Sequence, residues 1–442
     1  MAHDNLDTKW RRRVTQRCGG DKFDAPGSGY SFSAVLAEER QLSQANIPHD
    51  PASALLALSI ADPTWKMPRD AWGASNTYYW QSPHASRYTD NSGLVPINLG
   101  HRSFTDTHEA IVAYLKQRFP GEGTAWLTPA CVQYSGHGIK GALAEYIPVA
   151  LFDANTNLVF PVPGYPVIKN AMNRRDAKVI DLMMQRDGNG RWLIAQQLEE
   201  VRLDGLGWKT VVYVNAPHNP TGTGYTAADW QRLLQWARDH DAILVADEAY
   251  CDLCYNADCV SVLTIPGWEE SCIVLQSASK GWNATGLRFG WMIAHPTMIA
   301  ALRQVTDVKD SGLFGPSIAA GLECLAHPEW AAETREQYRS LHRILADGLR
   351  QAGFAAAMPD AGLCQFTPAP KSANGQVFAS AAECAMWLRQ NLRISVMHYD
   401  VAGAPYLRWA VTIMPILECD LPDEQAVIAE AVRRLQTVKF GC

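Results

Sequence analysis

The chain has 442 residues, 47% hydrophobic and 19% charged, a composition suited to a soluble globular protein of about two or three domains. Its formal net charge of -6 gives no electrostatic reason to bind nucleic acid or an anionic membrane, and no apolar run approaches the roughly 20 residues of a membrane helix. The 11 cysteines, an odd number in a long chain, argue against a disulfide framework; with no apolar stretch following Arg11-Arg12-Arg13, they point to a cytoplasmic protein.

In chain order, residues 1–30 are polar and Gly-rich and read as an N-terminal tail. Residues 31–45, with Val35, Leu36 and Leu42, predict a short amphipathic helix, and 55–60 form an apolar run that ends at Asp62-Pro63. Residues 107–119 predict a helix with Ile111, Leu115 and Phe119 at helical spacing. Strands are predicted at 158–160 (closed by Pro161 and Pro163), 211–214, 242–246, 272–275 and 291–294, with a helix at 230–237 between two of them. This alternation implies an α/β fold with a mainly parallel sheet and helices on both faces.

Beyond Pro316 the pattern changes. Residues 330–351 predict a long helix with Tyr338, Leu341, Leu345 and Leu349 on one face and Gly353 as its stop. Short strands at 363–366, 394–396 and 407–411 follow. The expected organisation is a tail (1–30), the N-terminal part of a small domain (31–75), a large domain (76–315), then an interdomain helix with the rest of the small domain (316–442).

Polar motifs fall where the predicted strands end. Asn219-Pro220-Thr221-Gly222 follows 211–214, Asp247-Glu248-Ala249-Tyr250 follows 242–246, and Ser277-Ala278-Ser279-Lys280 follows 272–275. In open α/β sheets ligands bind at that edge. Eight positions beyond the lysine stands Arg288, in Gly286-Leu287-Arg288-Phe289-Gly290. A lysine for a Schiff base, an arginine and a serine for a phosphate, a carboxylate for a ring nitrogen and two donors for a phenolic oxygen are the parts that hold pyridoxal 5'-phosphate. A helix start also suits an anion, and Ser135-Gly136-His137-Gly138-Ile139-Lys140-Gly141 reads either as such a start or as a plain Gly-rich turn. Arg408 interrupts an apolar strand, where its charge is costly unless paired, either by a ligand or by a structural ion pair. Cys251 and Cys254 form a C-x-x-C with no second pair at metal spacing, which reads as structural rather than as a metal or redox site.

Together these motifs resemble the class I/II aminotransferase family of fold-type I pyridoxal-phosphate enzymes, over about residues 31–435. The resemblance implies a three-layer, aspartate aminotransferase-like fold. By it, Lys280 makes the Schiff base, Asp247 pairs with the pyridine nitrogen, and Asn219 and Tyr250 bond the ring 3-oxygen. Ser277, Arg288, Gly138, Ile139 and Lys140 bind the phosphate, and Tyr165 stacks on the ring. Arg408 clamps the substrate α-carboxylate, and Asn219 also faces the substrate. Tyr88 resembles the tyrosine that reaches the partner subunit's phosphate, which implies a homodimer with shared sites.

Two places depart from the family pattern. Ala61 stands where a pocket-lining glycine is usual, and Met397-His398-Tyr399-Asp400-Val401 replaces a Gly-rich loop, so His398 or Tyr399 either faces the substrate or packs. Trp65 and Trp282 flank motif residues and suit an apolar pocket wall. The implied activity is transfer of an amino group between an L-amino acid and a 2-oxo acid. The cradle alone does not fix the reaction, and the alternative is another pyridoxal-phosphate reaction on an amino acid: β/γ elimination or replacement, cyclisation, or oxidation. A cofactor-sensing transcription regulator needs a DNA-binding domain ahead of this region, and only about 30 residues precede it.

Overall fold

A computed structural model describes residues 31–82, 85–86, 89, 97–98, 103–104, 107–175, 177–201 and 209–441. The tail expected over 1–30 and the candidate Tyr88 lie outside the described residues.

The chain enters through helix α1 (Ser31–Ser43) and the short strand β1 (Leu56–Ala57), then helix α2 (Arg69–Gln81). The central sheet has seven strands: β2 (Val132–Ser135), β3 (Asn157–Val162), β4 (Lys178–Met183), β5 (Thr210–Asn215), β6 (Ile243–Asp247), β7 (Cys272–Ser277) and β8 (Gly290–Ile293). Their order across the sheet is β2-β8-β7-β6-β5-β3-β4, and β8 alone runs antiparallel to its neighbours. The strands are apolar throughout because both faces are covered. Val212, Val214, Leu244, Ala246 and Val274 enter one core, while Val211, Tyr213, Val245, Ile273 and Leu275 enter another. That period of two places the cores on opposite faces of the sheet.

The strand expected to close at Pro161 instead runs on to Val162. Past Val159 it pairs only with β4, so the missing N–H of Pro161 breaks no second ladder.

Helices α3 (Pro296–Lys309) and α4 (Gly315–Ala326) lead to the long helix α5 (Pro328–Gln351). Tyr338, Leu341, Leu345 and Leu349 of α5 are buried in a third core, as their spacing predicts. The same core takes Trp409 and Leu407 from a three-stranded antiparallel sheet, β9 (Cys364–Pro368), β11 (Met397–Val401) and β12 (Ala404–Ala410). Strand β10 (Ile394–Ser395) pairs in parallel with β1, so residues near the two ends of the chain close one body. No helix among the described residues is long and apolar enough to cross a membrane.

Candidate active site

Strands β5, β6 and β7 lie in register: Asn215 sits beside Asp247, and Asp247 beside Leu275. Their ends open on one cavity of about 630 Å³. Asn219, Asp247, Tyr250, Ser277, Lys280 and Arg288 all line it, as do Ile139, Lys140, Tyr165, Ala61 and Arg408. The structure thus brings together side chains that are far apart in the sequence.

Asp247 is the last residue of β6 and is 2% exposed. The Tyr213 hydroxyl donates to its Oδ2 at 2.7 Å, and the Ala249 N–H to its Oδ1 at 3.2 Å. Burial pushes the Asp247 pKa up to about 6, while these two donors hold it down. Glu248, next along, is buried away from the cavity and takes hydrogen bonds from Ser261, Gln276 and the Val262 N–H. Those three bonds anchor the turn that carries Asp247 and Tyr250.

A polar chain links the motifs across the strand ends. Asn215 Nδ2 donates to the Asp247 carbonyl at 2.9 Å, and Asn215 Oδ1 accepts from the Asn219 N–H at 2.8 Å. Asn219 Nδ2 points to the Tyr250 hydroxyl at 3.4 Å, and Asn219 Oδ1 accepts from Arg408 Nη1 at 3.0 Å. Arg408 Nη2 also donates to the Ser59 carbonyl. The fully buried guanidinium is therefore held against two neutral oxygens at the cavity wall. Tyr213 is hidden in the sequence because it reads as the core of an apolar strand, whereas Asn215 leaves a signal as the polar residue that closes that strand.

Lys280 lies just past β7. Its Nζ donates to the Ala61 carbonyl at 2.9 Å and stands 3.6 Å from Asp62 Oδ1. Burial lowers its pKa, Arg288 acts in the same sense, and Asp62 and Cys364 oppose them. Ala61 meets the lysine through its backbone, so any residue at this position presents the same carbonyl.

Arg288 adopts the left-handed conformation, with φ at 55°. Its Nη1 donates to the Thr285 carbonyl at 2.8 Å and its Nη2 to the His137 carbonyl at 2.6 Å. Opposite it, Gly138 opens a helical run that continues to Leu151 with a π turn inside it. The Ser135 hydroxyl fastens this start by donating to the Gly138 carbonyl at 2.7 Å. Ser277 Oγ, at the end of β7, accepts from the Ser279 N–H at 3.4 Å.

Other candidates pack instead of facing the cavity. The Trp282 indole donates to the His327 carbonyl, and that of Trp65 to Glu424. Tyr399 packs on Phe366 with ring centroids 5.7 Å apart. Burial lowers the pKa of His398, whose facing charged groups are Asp400 and Arg389, away from the cavity. Within the C-x-x-C, Cys251 points to Asp252, whereas Cys254 faces Cys259. Among the described residues no group of His, Cys, Asp and Glu is placed to hold a metal ion.

Fold and cavity define the class: a pyridoxal-phosphate-dependent enzyme of fold type I, with an aspartate aminotransferase-like architecture. The model of the family aminotransferase class I and II matches residues 101–411, and the chain belongs to that family. It is 26% identical over 426 residues to the LL-diaminopimelate aminotransferase of Methanocaldococcus jannaschii, spanning 95% of this chain and 96% of that protein. The enzyme of the same name from Methanococcus maripaludis is 29% identical over 335 residues, 75% of this chain and 78% of that protein. A double mutant of Thermus thermophilus aspartate aminotransferase superposes with a TM-score of 0.76 at 18% identity, covering 95% of this chain and 99% of that one.

The residues present fit the cofactor. Gly138 has φ at 62°, a left-handed conformation that favours glycine, and a Cβ there would crowd Arg288 Nη2 at 3.3 Å, which suits a helix start left open to an anion beside that guanidinium. The desolvated lysine amine and the buried carboxylate share the same cavity. The chain is a pyridoxal-phosphate-dependent aminotransferase acting on amino acid and 2-oxo acid substrates; elimination, cyclisation and oxidation are not favoured.

Proposed function

We propose that the enzyme moves an amino group from LL-diaminopimelate or a closely related amino acid to a 2-oxo acid, through the residues assembled at this cavity. The observation that carries the reading is the convergence of Lys280, Asp247, Asn219, Tyr250, Arg288 and Arg408 on one space. The relatives named LL-diaminopimelate aminotransferase support the donor. Asp62 and Lys140, of opposite charge and both lining the cavity, suit a second zwitterionic end.

When bound, pyridoxal phosphate supplies a carbonyl that condenses with an amine and a ring that accepts the electron pair left at Cα. Lys280, whose pKa burial lowers toward the neutral amine, is the residue that would condense with the cofactor's carbonyl and would hold and move a proton at the substrate Cα. Asp247 holds the proton on the ring nitrogen, and Tyr213 with the Ala249 N–H keeps that carboxylate ionised. Asn219 and Tyr250 would bond the ring 3-oxygen, and Tyr165 would cover the ring. Ser277, Arg288 and the backbone of Gly138, Ile139 and Lys140 take the phosphate. Arg408, steadied by Asn219 and Ser59, takes the substrate α-carboxylate as a fork.

The same proposal includes a homodimer. Trp80 is 81% exposed and Trp72 57% on α2, and Val308 and Phe314 are exposed as well, apolar surface that a second copy would cover. It also includes a division into a large body and a smaller one made from both chain ends, supported by the separate core under α5 and β12. The amino acid chemistry of the family supports a cytoplasmic location.

The test is a panel of amino acids mixed with the holoenzyme, following the cofactor spectrum and the released 2-oxo acid. LL-diaminopimelate should convert the cofactor fastest. Faster conversion by an unrelated amino acid would overturn the donor, and trapping by borohydride at a lysine other than Lys280 would overturn the site.

A further inference from the structure

Cys254 and Cys259 stand on a short excursion between the Tyr250 turn and Val260, and their sulfurs face each other at 2.7 Å. Among the described cysteines these two alone are partly exposed. Cys251 is buried and points to Asp252, so it does not compete for Cys254.

The excursion acts as a clasp. Cys254 forms an isolated bridge with Ala361, and the N–H groups of Tyr255 and Asn256 donate to the Asp360 carbonyl at 2.7 and 3.1 Å. Asn256 Nδ2 reaches Asp360 Oδ1 at 3.1 Å, and the Gly224 N–H reaches Asp360 Oδ2 at 3.1 Å. Ala361 N–H donates to the Gly222 carbonyl at 3.0 Å, so the Asn219–Gly222 turn is gripped as well. Cys259 backs this contact, since a Cβ at Gly224 would meet its Sγ at 2.8 Å. Next along, the Gly362 N–H donates to the Leu253 carbonyl at 3.0 Å, and Gly362 lies beside the Tyr250 ring. The clasp therefore fixes the strand entering β9 against two turns that line the cavity.

We propose that Cys254 and Cys259 are a thiol–disulfide couple that locks this clasp when a hydroperoxide oxidises it. One thiol takes an oxygen from hydrogen peroxide to become a sulfenic acid, releasing water; the second thiol displaces that oxygen as a second water and forms the S–S bond. In total two thiols lose two protons and two electrons, and the peroxide accepts both. The sulfurs need approach by only a fraction of an ångström to reach bonding distance, about 2.05 Å. The hydrogen bond to Cys259 and burial both raise the Cys254 pKa, so closure quickens as the pH rises.

The test treats the holoenzyme with a small excess of hydrogen peroxide, alkylates the remaining thiols and maps the peptides by mass spectrometry, with and without dithiothreitol. A reducible Cys254–Cys259 link is expected, with the oxidised wild type melting a few degrees above the reduced form and no such shift in Cys259→Ser. Full alkylation of both residues, a sulfinic acid at either without a link, Cys254 joined to Cys251, or a link that leaves the melting temperature unchanged would each overturn it.

Discussion

The wall of the cavity that carries Asp247, Ser277 and Lys280 grows from the ends of neighbouring strands, whereas the facing wall joins Ser59 to Arg408 across 349 residues of sequence. On the first wall, sheet register sets each position, and a polar residue at one strand end meets a polar residue at the next. On the second, position depends on how a loop after β1 docks on β12. Chemistry common to a whole family belongs on a wall that cannot shift, and selection among substrates belongs on one that can be rebuilt without disturbing the sheet. Substitutions on the first wall should therefore cost turnover, and those on the second should change which substrates are used.

The largest expected effect is at Lys280. Lys280→Ala should lower kcat by about 10⁴-fold or more, with an unchanged circular dichroism spectrum. A loss under tenfold would erase the distinction between the walls. Asp247→Asn follows, with kcat reduced roughly 10²- to 10³-fold.

Asp247 carries a second, independent signature. Its folded pKa, raised to about 6, means that the apo-protein keeps a proton that the unfolded chain has already released above the ordinary carboxylate range. Its contribution to stability therefore falls as the pH rises from about 4 to about 6. Urea melts of apo-protein should show Asp247→Asn gaining on the wild type across that window; parallel curves would remove the buried-carboxylate account.

On the other wall, Arg408→Lys should lose roughly 30- to 100-fold in kcat/KM for α-carboxylate substrates, mostly through KM, and leave simple amines unchanged. Equal losses for both would make Arg408 structural. Tyr213→Phe removes one donor from Asp247 and should move the acid limb of cofactor binding up by roughly one pH unit, with a smaller effect on kcat. The smallest change is expected at Ala61→Gly: less than about tenfold, confined to the ranking of amino acid side chains.

The legibility of the molecule follows the same division. Lys280, Asp247 and Asn219 are visible in the sequence because each sits in a short motif just past an apolar run, and Arg288 because its Gly-flanked motif stands eight positions beyond the lysine. Tyr213 is hidden because a tyrosine inside Val-Val-Tyr-Val reads as strand core, and its hydroxyl finds Asp247 only through sheet register. The backbone contact from Ala61 to Lys280 is invisible for another reason: it depends on packing between segments that share no local pattern. Five of the seven central strands are legible as apolar runs; β2 and β4 are not, nor are helices α2 and α3, whose weak amphipathicity gives little periodic signal. His398 and Tyr399 lie on β11, and Tyr399 packs on Phe366 of β9, a contact between segments far apart in the sequence.

The pairing of β1 with β10 bears on synthesis at the ribosome. Every strand of the seven-stranded sheet has been made by the time Ile293 emerges, so the face bearing Asp247 and Lys280 is complete early. Leu56 and Ala57 then wait for Ile394 and Ser395, and the guanidinium at position 408 comes later still. A nascent chain arrested between these points holds the strand-end wall of the pocket but lacks the wall that carries Arg408, so the cavity closes only after residue 408 has been made.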